Sequence, residues 1–359
     1  MPNGRRQAAL RTRLAAEGLD ALLVSGSANI RYLTGFTGSA GQLLVGHGGT
    51  VLVTDFRYAT QAAAEVGTTA EVRIEKTSVW DGVRAALAAA GIARAGVDRD
   101  RTTLADSEQL DRAAGVTWVR TRGFVEDLRV AKEPAEVAAV RAAATLAAEA
   151  LEATLGTIRP GVTELEVATE LEAALRRRGS EWHPFQPIVA SGPRSALPHA
   201  RAGPRRIEPG DFLVIDFGAQ VGGYCSDLTR TFVVGAKATS RQRQIYDLVR
   251  SAQARAIGSI RAGMTGKAAD SLGRDPIAEA GLGDGFGHSL GHGLGLEVHE
   301  APRLSQLNTN PLPVGAVVTI EPGVYLEGWG GVRLEDDVLL LETGAECLSD
   351  GRTNLVELT

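Results

Sequence analysis

The sequence predicts a protein that mixes helices and strands in two domains: an N-terminal α/β domain, then an α+β domain of two similar halves. Its 359 residues are many for one hydrophobic core and enough for two. Helical and strand patterns alternate over residues 1–123, as they do in an α/β sheet. From residue 124 onward the order helix, helix, sheet occurs twice, which indicates two halves of similar design.

The composition is typical of a globular protein in a reducing compartment. Hydrophobic residues make up 44% of the chain, yet no apolar run approaches the ~18 residues of a membrane span. With 38 basic and 43 acidic side chains, the chain lacks the basic surplus that nucleic-acid binding requires. Two cysteines are too few for a disulfide framework, and the N-terminus lacks the apolar core of a signal peptide. We therefore expect a soluble, cytoplasmic protein without a nucleic-acid or membrane partner.

The N-terminal domain, residues 1–123, is predicted from this alternation of helix and strand. A helix that ends at Gly18 precedes the buried strand ALLVSG, and LLVGHGGTVLVTD is typical of a hairpin. The predicted elements are a helix (5–17), a strand (21–26), the hairpin (43–55), a helix (57–66), a strand (70–76), a helix (80–90) and two strands (95–98 and 116–120). Because the region has one histidine and no acidic cluster, we expect it to be structural or to shape the substrate site.

The second domain, residues 124–359, begins around the segment FVEDLRVAKEPAEVAAV. Pro134 fits the first turn of a long helix, and Thr163 with Glu166 forms a capping box that starts the next helix. The predicted elements are helices over 134–156, 164–178, 240–262 and 266–280, and strands over 186–191, 212–220, 224–235, 316–326 and 331–341. Each pair of helices precedes a group of strands, which is the basis for predicting two similar halves.

Four acidic residues lie within apolar strands of the second domain: Asp216, Asp227, Glu321 and Glu335. Burying a carboxylate is unfavourable unless the group is paired or bound to a cation. If the first hairpin turns at Val221–Gly222, Asp216 lies directly opposite Asp227. Glu321 and Glu335 are likewise equidistant from the centre of the turn LEGWGG. Since like charges that face each other destabilise a sheet, we predict that one or two divalent cations bind between these carboxylates.

A glycine-rich segment, GFGHSLGHGLGLEVHE at residues 285–300, contains three histidines. Its glycines allow the backbone to approach a site closely, and His292 is the best candidate for a nitrogen ligand. Carboxylate oxygens with one imidazole suit Mn²⁺, Co²⁺ or Zn²⁺ rather than a structural, thiolate-bound zinc. The overlapping pattern Gly-His-Ser-Leu-Gly lacks the preceding strand and following helix of a serine nucleophile, so an esterase is disfavoured.

Seven segments together match a known pattern: NIRYLTGFTGSAG (29–41), VTDFRY (53–58), SGPRSALPHA (191–200), IDFGAQVGGYCSDLTRTF (215–232), GHSLGHGLGLEVHEAPR (287–303), IEPGVYL (320–326) and GVRLEDD (331–337). On these segments the sequence resembles the pita-bread metallopeptidases, which include prolidase, aminopeptidase P, methionine aminopeptidase and the metal-free creatinase. The branch of prolidase and aminopeptidase P is closest, because the resemblance extends to the first two segments. It implies a creatinase/prolidase-like α/β N-terminal domain followed by a pseudo-symmetric pita-bread (α+β) catalytic domain.

The resemblance implies five ligands for two divalent metal ions: Asp216, Asp227, His292, Glu321 and Glu335. Asp227 and Glu335 would bridge the two ions. Asp216 would bind one of them, and His292 with Glu321 would bind the other. We expect Mn²⁺ first, with Co²⁺ or Zn²⁺ as alternatives.

The resemblance also places five residues around the substrate: His199, His288, His299, Arg303 and Arg333. His299, with His199, would stabilise the oxyanion, and Glu321 would carry a proton toward the leaving nitrogen. Arg194 departs from the family pattern, which has a small or polar residue before this histidine.

These assignments predict an enzyme that hydrolyses the Xaa-Pro imide bond of peptides with proline at the second position, and the resemblance alone implies a homodimer. We expect a preference for dipeptides because Arg303 is available for the carboxylate beside the proline ring. In an alternative interpretation, Arg303 pairs with Glu297 or Glu300 on the same loop. Two other functions stay open: an aminopeptidase P that acts on longer peptides, and a non-catalytic pita-bread binding module. The intact ligand positions argue against the module, and against a creatinase.

Overall fold

The computed structural model describes residues 2–349 and 353–359 and divides after Arg129 into two compact units. The second unit begins at Val130. Within the described ranges, no helix is both long enough and apolar enough to cross a membrane.

The first unit is built on one six-stranded sheet, which confirms the predicted alternation of helix and strand. Its helices are α1 (Pro2–Ala16), α2 (Ser27–Thr34), α3 (Ala59–Val66), α4 (Val79–Ala89) and α5 (Leu104–Leu110), and α6 (Glu126–Val130) ends at the division. Its strands are β1 (Ala21–Val24), β2 (Gln42–Gly46), β3 (Gly49–Asp55), β4 (Glu71–Glu75), β5 (Arg94–Asp98) and β6 (Thr117–Thr121). Their spatial order is β4-β3-β2-β1-β5-β6, and Gly46 pairs with Gly49 at the tip of the predicted hairpin.

Helices α2, α5 and α6 were not expected from the sequence. Helix α2 has eight residues, and α5 and α6 have seven and five, which are too few for a recognisable helical periodicity. Helix α5 does carry a local start signal, because Thr103 and Asp106 form a capping box. Helix α2 ends at Gly35, whose φ of 87° favours glycine.

The described part of the second unit contains four long helices, two larger sheets that are mainly antiparallel, and two sheets of two strands each. The helices are α7 (Pro134–Leu155), α8 (Glu164–Arg177), α9 (Ser240–Ser259) and α10 (Gly266–Glu279). The strands are β7 (Ile188–Ser191), β8 (Phe212–Phe217), β9 (Gln220–Val221), β10 (Tyr224–Cys225), β11 (Leu228–Val234), β12 (Gly291–Gly293), β13 (Glu300–Leu304), β14 (Val317–Ile320), β15 (Gly323–Leu326), β16 (Gly330–Arg333), β17 (Asp336–Leu341), β18 (Gly344–Cys347) and β19 (Val356–Leu358).

The two predicted halves are confirmed in this unit. The first sheet has the order β19-β11-β8-β7, and its core residues pack with α7 and α8. The second sheet has the order β13-β12-β14-β17-β18, and its core residues pack with α9 and α10. Helix α7 begins with Pro134 in its first turn, and the predicted capping box of Thr163 and Glu166 starts α8.

The first hairpin of this unit turns one residue later than the sequence analysis predicted. Val221 pairs with Tyr224, so the loop consists of Gly222 and Gly223. Both glycines have positive φ, 58° and 81°, and a tight two-residue hairpin turn needs positive φ at both of its central positions. A valine at the first of these positions would be strained, which is why the predicted loop is wrong.

This shift changes the partner of the first buried acid. Asp216 lies opposite Thr229, and its predicted pairing with Asp227 is wrong. Because the difference is two positions, the two aspartates still project from the same face and approach each other diagonally. The second predicted pair is correct in register, since the pairings on both sides of it place Glu321 opposite Glu335.

Candidate metal centre

The buried acids project toward each other from the two sheets of the second unit. Along β8, Leu213 and Ile215 pack with α7 and α8, which turns Asp216 to the opposite face. Along β14 and β17, the even-numbered residues pack with α9 and α10. The odd-numbered residues Glu321 and Glu335, which adjoin these strands, therefore face the first sheet.

Three of the predicted ligands form a compact buried group. Asp227, His292 and Glu335 each offer one ligand atom, and these atoms lie within 4.8 Å of one another. Thr229 on the first sheet donates from Oγ1 to Glu335 Oε2 at 2.6 Å, so the two sheets meet at this group. Asp216 Oδ1 is buried here and has no hydrogen-bond partner in the described structure. An unsatisfied carboxylate oxygen beside an oxygen-rich donor set fits a divalent cation.

His292 is oriented so that it can act as a ligand. Its Nδ1 lies 3.0 Å from the Gly293 carbonyl, which can only accept, so Nδ1 carries the proton. Nε2 then presents a lone pair 3.4 Å from Glu321 Oε1 and 3.6 Å from Asp227 Oδ2. Burial lowers the pKa of His292 to about 3, which keeps the imidazole neutral, the form that binds metals. Thr319 supports the pair, because its Oγ1 accepts from the His292 backbone and donates to Glu321.

The carboxylates strongly perturb one another's titration. Burial first, and then the neighbouring Glu335 and Asp216 charges, raise the pKa of Asp227 well above its usual range. Burial and the Glu321 charge do the same to the pKa of Glu335. Burial raises the pKa of Glu321 to about 8. So many acids cannot all be ionised in one buried space unless a cation compensates them.

Arg333 is buried and is held by groups of the protein itself. Its Nη2 donates to Asp216 Oδ2 at 2.5 Å, and its Nε donates to Thr229 Oγ1 at 3.0 Å. Its Nη1 donates to the Tyr325 hydroxyl at 2.8 Å, and that hydroxyl lies 2.9 Å from His288 Nε2. These contacts hold the Arg333 guanidinium against Asp216, and its implied role at the substrate stays a prediction.

Three of the predicted substrate residues lie exposed at the site. The ring of His299 has its centroid 4.3 Å from that of His292, and burial lowers its pKa. His199 follows a short 3₁₀ helix and its charge affects the pKa of Asp216, which places it near the same carboxylates. Arg303 lies directly across the strand pair from His292.

The alternative partner proposed for Arg303 is engaged elsewhere. Glu300 Oε2 pairs with Lys132 Nζ at 3.0 Å, and both of these side chains are almost fully buried. Within residues 2–349 and 353–359, the Arg303 guanidinium has no ion pair with Glu297 or Glu300. It is therefore available to an anionic ligand.

Sequence reasoning missed two residues that support the centre and misread a third. Thr229 forms a hydrogen bond with Glu335, and Tyr325 forms one with Arg333. Neither Thr229 nor Tyr325 was singled out, although both lie within segments on which the family resemblance rests. Arg194, the departure from the family pattern, pairs with the buried Glu164 at 3.0 Å. Thr229 and Glu335 lie 106 positions apart and Arg194 and Glu164 lie 30 apart, so no local pattern indicates these pairs.

A buried cluster of carboxylates and one imidazole between two mainly antiparallel sheets defines a metal-dependent enzyme of the pita-bread fold. Family comparison agrees: residues 138–342 match the model of metallopeptidase family M24, and residues 6–131 match the creatinase/prolidase N-terminal domain. The chain belongs to metallopeptidase family M24. Divalent metal ions are the cofactors of this family.

Several relatives cover nearly the whole chain. An Xaa-Pro dipeptidase of Pyrococcus horikoshii is 38% identical over 94% of this chain and 95% of its own length. The solved structure of an Xaa-Pro dipeptidase from Bacillus anthracis is 40% identical, with a TM-score of 0.96 over 99% of both chains. That of an X-Pro aminopeptidase from Thermotoga maritima is 38% identical, with a TM-score of 0.90 over 96% of this chain and 99% of the other.

Proposed function

We propose that this metallopeptidase is an Xaa-Pro dipeptidase, which cleaves the imide bond between an N-terminal residue and a following proline. The observation that carries the proposal is the position of His299. Its side chain is exposed, and its ring centroid lies 4.3 Å from that of the buried His292. A hydrogen-bond donor thus lies beside the carboxylate cluster, where the carbonyl of a bound peptide would be held. The names of the most similar relatives support the same substrate.

Five residues would hold the metal: Asp216, Asp227, His292, Glu321 and Glu335. We propose two divalent ions, Mn²⁺ first and Co²⁺ or Zn²⁺ as alternatives, because the donors are oxygen atoms with one imidazole. When bound, such ions polarise the scissile carbonyl and make a water molecule more acidic. We propose Asp227 and Glu335 as the shared ligands, as the family resemblance implies, and both lie with His292 in the compact buried group.

Glu321 is the residue to which we assign proton transfer. Its side chain is 16% exposed, so it is accessible to water. The carboxylate accepts a proton from the attacking water and delivers it to the proline nitrogen. This protonation is required because collapse of the tetrahedral intermediate would otherwise expel an amide anion, which is a poor leaving group.

His299 and His199 are assigned to the developing oxyanion. The lowered pKa of His299, caused by burial and the nearby Arg303 charge, keeps the ring neutral, so that it donates from one N–H. Such a donor stabilises negative charge that exists only in the transition state. His288, held by Tyr325, has its Nδ1 3.7 Å from Glu321 Oε2, so it lines the substrate side of that acid.

Arg303 is assigned to the carboxylate of the dipeptide. It is exposed, it lies across the strand pair from His292, and Glu300 is already neutralised by Lys132. A hydrogen bond to a charged group contributes about 1.5–3 kcal/mol, so two such bonds would favour Xaa-Pro by about 3–6 kcal/mol. This corresponds to a difference of roughly 10²–10⁴ in binding over a peptide without a carboxylate at that position.

The experiment that tests this function is a substrate panel. Xaa-Pro dipeptides and Xaa-Pro-Yaa tripeptides are incubated with the purified protein and added Mn²⁺, Co²⁺ or Zn²⁺. We expect metal-dependent hydrolysis with a higher kcat/KM on dipeptides. Faster hydrolysis of tripeptides would identify an aminopeptidase P, a function that the similarity to the Thermotoga maritima X-Pro aminopeptidase also supports. A folded protein that hydrolyses neither substrate would indicate a binding module.

We also propose that the enzyme acts in the cytoplasm as a homodimer. Cys225 is a buried free thiol and Cys347 is a partly buried one, which fits a reducing compartment. Light scattering of the purified enzyme coupled to size exclusion tests the dimer, which should have twice the 37.6 kDa mass of the chain. A mass equal to that of one chain would contradict it.

A further inference from the structure

The segment that carries His199 is tied at both ends to one buried carboxylate. Glu164, the first residue of α8, has a fully buried side chain. Its Oε1 accepts from the backbone N–H and the hydroxyl of Ser191, each at 2.8 Å. Its Oε2 accepts from the backbone N–H of Gly203 at 3.2 Å. Residues 191–203 therefore form a loop whose beginning and end meet at the same acid.

Arg194 braces this loop across its width. Its Nε donates to Glu164 Oε2 at 3.0 Å, while its Nη2 donates to the backbone carbonyl of Arg201 at 2.5 Å. A guanidinium can make both bonds at once because its donors form a rigid planar fork, whereas a lysine ammonium is a single point charge. The Arg194 side chain thus links Glu164 to Arg201, which lies two residues after His199 in the loop.

The middle of the loop is attached to the metal centre. The hydroxyl of Ser195 accepts from the backbone N–H of Gly331 at 2.8 Å, and the Pro198 carbonyl accepts from Arg333 Nη1 at 3.2 Å. Arg333 in turn binds Asp216. His199 therefore lies between one attachment to the site, at Pro198, and one attachment to the Arg194 brace, at Arg201.

We propose that Glu164 and Arg194 are positioning residues that hold His199 over the carboxylate cluster. The proposal rests on the proposed function, because it assumes that His199 acts on the substrate. Neither residue contacts the cluster, and each acts only through the loop. This positioning role also explains why the sequence departs from the family pattern at Arg194, whose side chain faces Glu164 and not the substrate.

The effect of losing the brace follows from these contacts. Without the guanidinium, Glu164 keeps its bonds to Ser191 and Gly203, so the loop remains anchored at both ends. The part of the loop around Arg201 loses its cross-link, and His199 becomes less well placed. A misplacement of about 1 Å in a catalytic group reduces the rate by up to roughly 10²-fold, so we expect kcat to fall by roughly 10–10²-fold. We expect KM to change by less than about 3-fold, because transition-state contacts are lost selectively.

The test compares Arg194→Ala and Arg194→Lys with a control, Arg141→Ala. Arg141 forms an ion pair of 2.7 Å with Glu346, but both partners are exposed and distant in sequence from the loop. We expect the two Arg194 variants to keep the metal content of the wild type and to exchange amide hydrogens faster in the peptide 195–203. The control should change neither exchange nor kcat. Full recovery of kcat in Arg194→Lys, or loss of metal in Arg194→Ala, would overturn the proposal.

A double-mutant cycle with His199→Asn shows whether the brace acts through the histidine. In that background, Arg194→Ala should lower kcat by less than about 2-fold, because the residue it positions is already absent. An undiminished loss would refute the proposal, as would unchanged exchange in residues 195–203. If the wild type hydrolyses no Xaa-Pro peptide, the proposed function fails, whereas the exchange experiment still decides whether Arg194 braces the loop.

Discussion

Removal of metal should make the stability of this protein depend on pH in a defined direction. Without a cation, the folded protein holds Glu321 at a pKa of about 8, whereas an unfolded glutamate has a pKa of about 4.3. Between these values the folded chain keeps a proton that the unfolded chain releases, so the free energy of unfolding falls as pH rises. The stabilising contribution of the protonated acid is thus present at low pH and is lost as pH rises through 8.

The interval from pH 6.5 to 8 contains most of this change, and Asp227 and Glu335, whose pKa values are also raised, act in the same direction. Burial lowers the pKa of His288 to about 4 and of His292 to about 3, and these groups act in the opposite direction. Half of the unfolded imidazoles are still protonated at pH 6.5, so these two groups together offset about 0.8 kcal/mol over the interval. Glu321 alone lowers the free energy of unfolding by about 1.5–2 kcal/mol from pH 6.5 to 8, so the net fall is about 1 kcal/mol or more. For a unit of this size that is a fall in Tm of roughly 2–4 °C or more.

The assay is thermal unfolding followed by circular dichroism, in chelator and in excess Mn²⁺, at both pH values. With metal bound the carboxylates stay ionised, so the loaded protein serves as the control and should change much less over the same interval. It should also melt at a higher temperature than the chelated protein at pH 8. A chelated protein whose Tm is constant, or follows that of the loaded protein, would refute the account of the buried acids.

Three further predictions concern single residues. Replacing Glu335 with alanine should lower the metal content below two ions per chain, measured by elemental analysis, and nearly abolish turnover. His299→Ala should keep the metal but lower kcat by roughly 10²–10³, as loss of one oxyanion donor does; loss of metal instead would mean that it exchanges roles with His292. Arg303→Ala should raise KM for Xaa-Pro and leave Xaa-Pro-Yaa unaffected in steady-state assays, while equal losses on both would favour the aminopeptidase.

The helices of the second unit were predictable because their signals are local. The capping box at Thr163 and Glu166 spans three positions, and the long apolar pattern after Pro134 continues through the 22 residues of α7. Interactions of this range depend only on neighbouring residues, whatever the rest of the chain does. Helices as short as α6, with five residues, offer too little pattern, and the sequence analysis missed them.

The candidate site was partly predictable for a similar reason. A carboxylate in an apolar strand is anomalous wherever the strand packs, so Asp216, Asp227, Glu321 and Glu335 could be singled out from the sequence alone. The pairing of the last two also followed, because the positions on either side of a symmetric turn determine the register. Their role as metal ligands stays a prediction.

What the sequence by itself determined is therefore which residues form the four long helices of the second unit, which acids are buried, and which face of a strand each side chain occupies. Only the tertiary structure decided their partners. Because the turn lies at Gly222 and Gly223, the cross-strand partner of Asp216 is Thr229 and not Asp227. The requirement for positive φ, and not the apolar pattern, selects these two loop residues. The bonds from Thr229 to Glu335 and from Arg333 to Asp216 span 106 and 117 positions. They exist because two sheets pack face to face, and the alternation along a strand specifies a face but not what lies across from it.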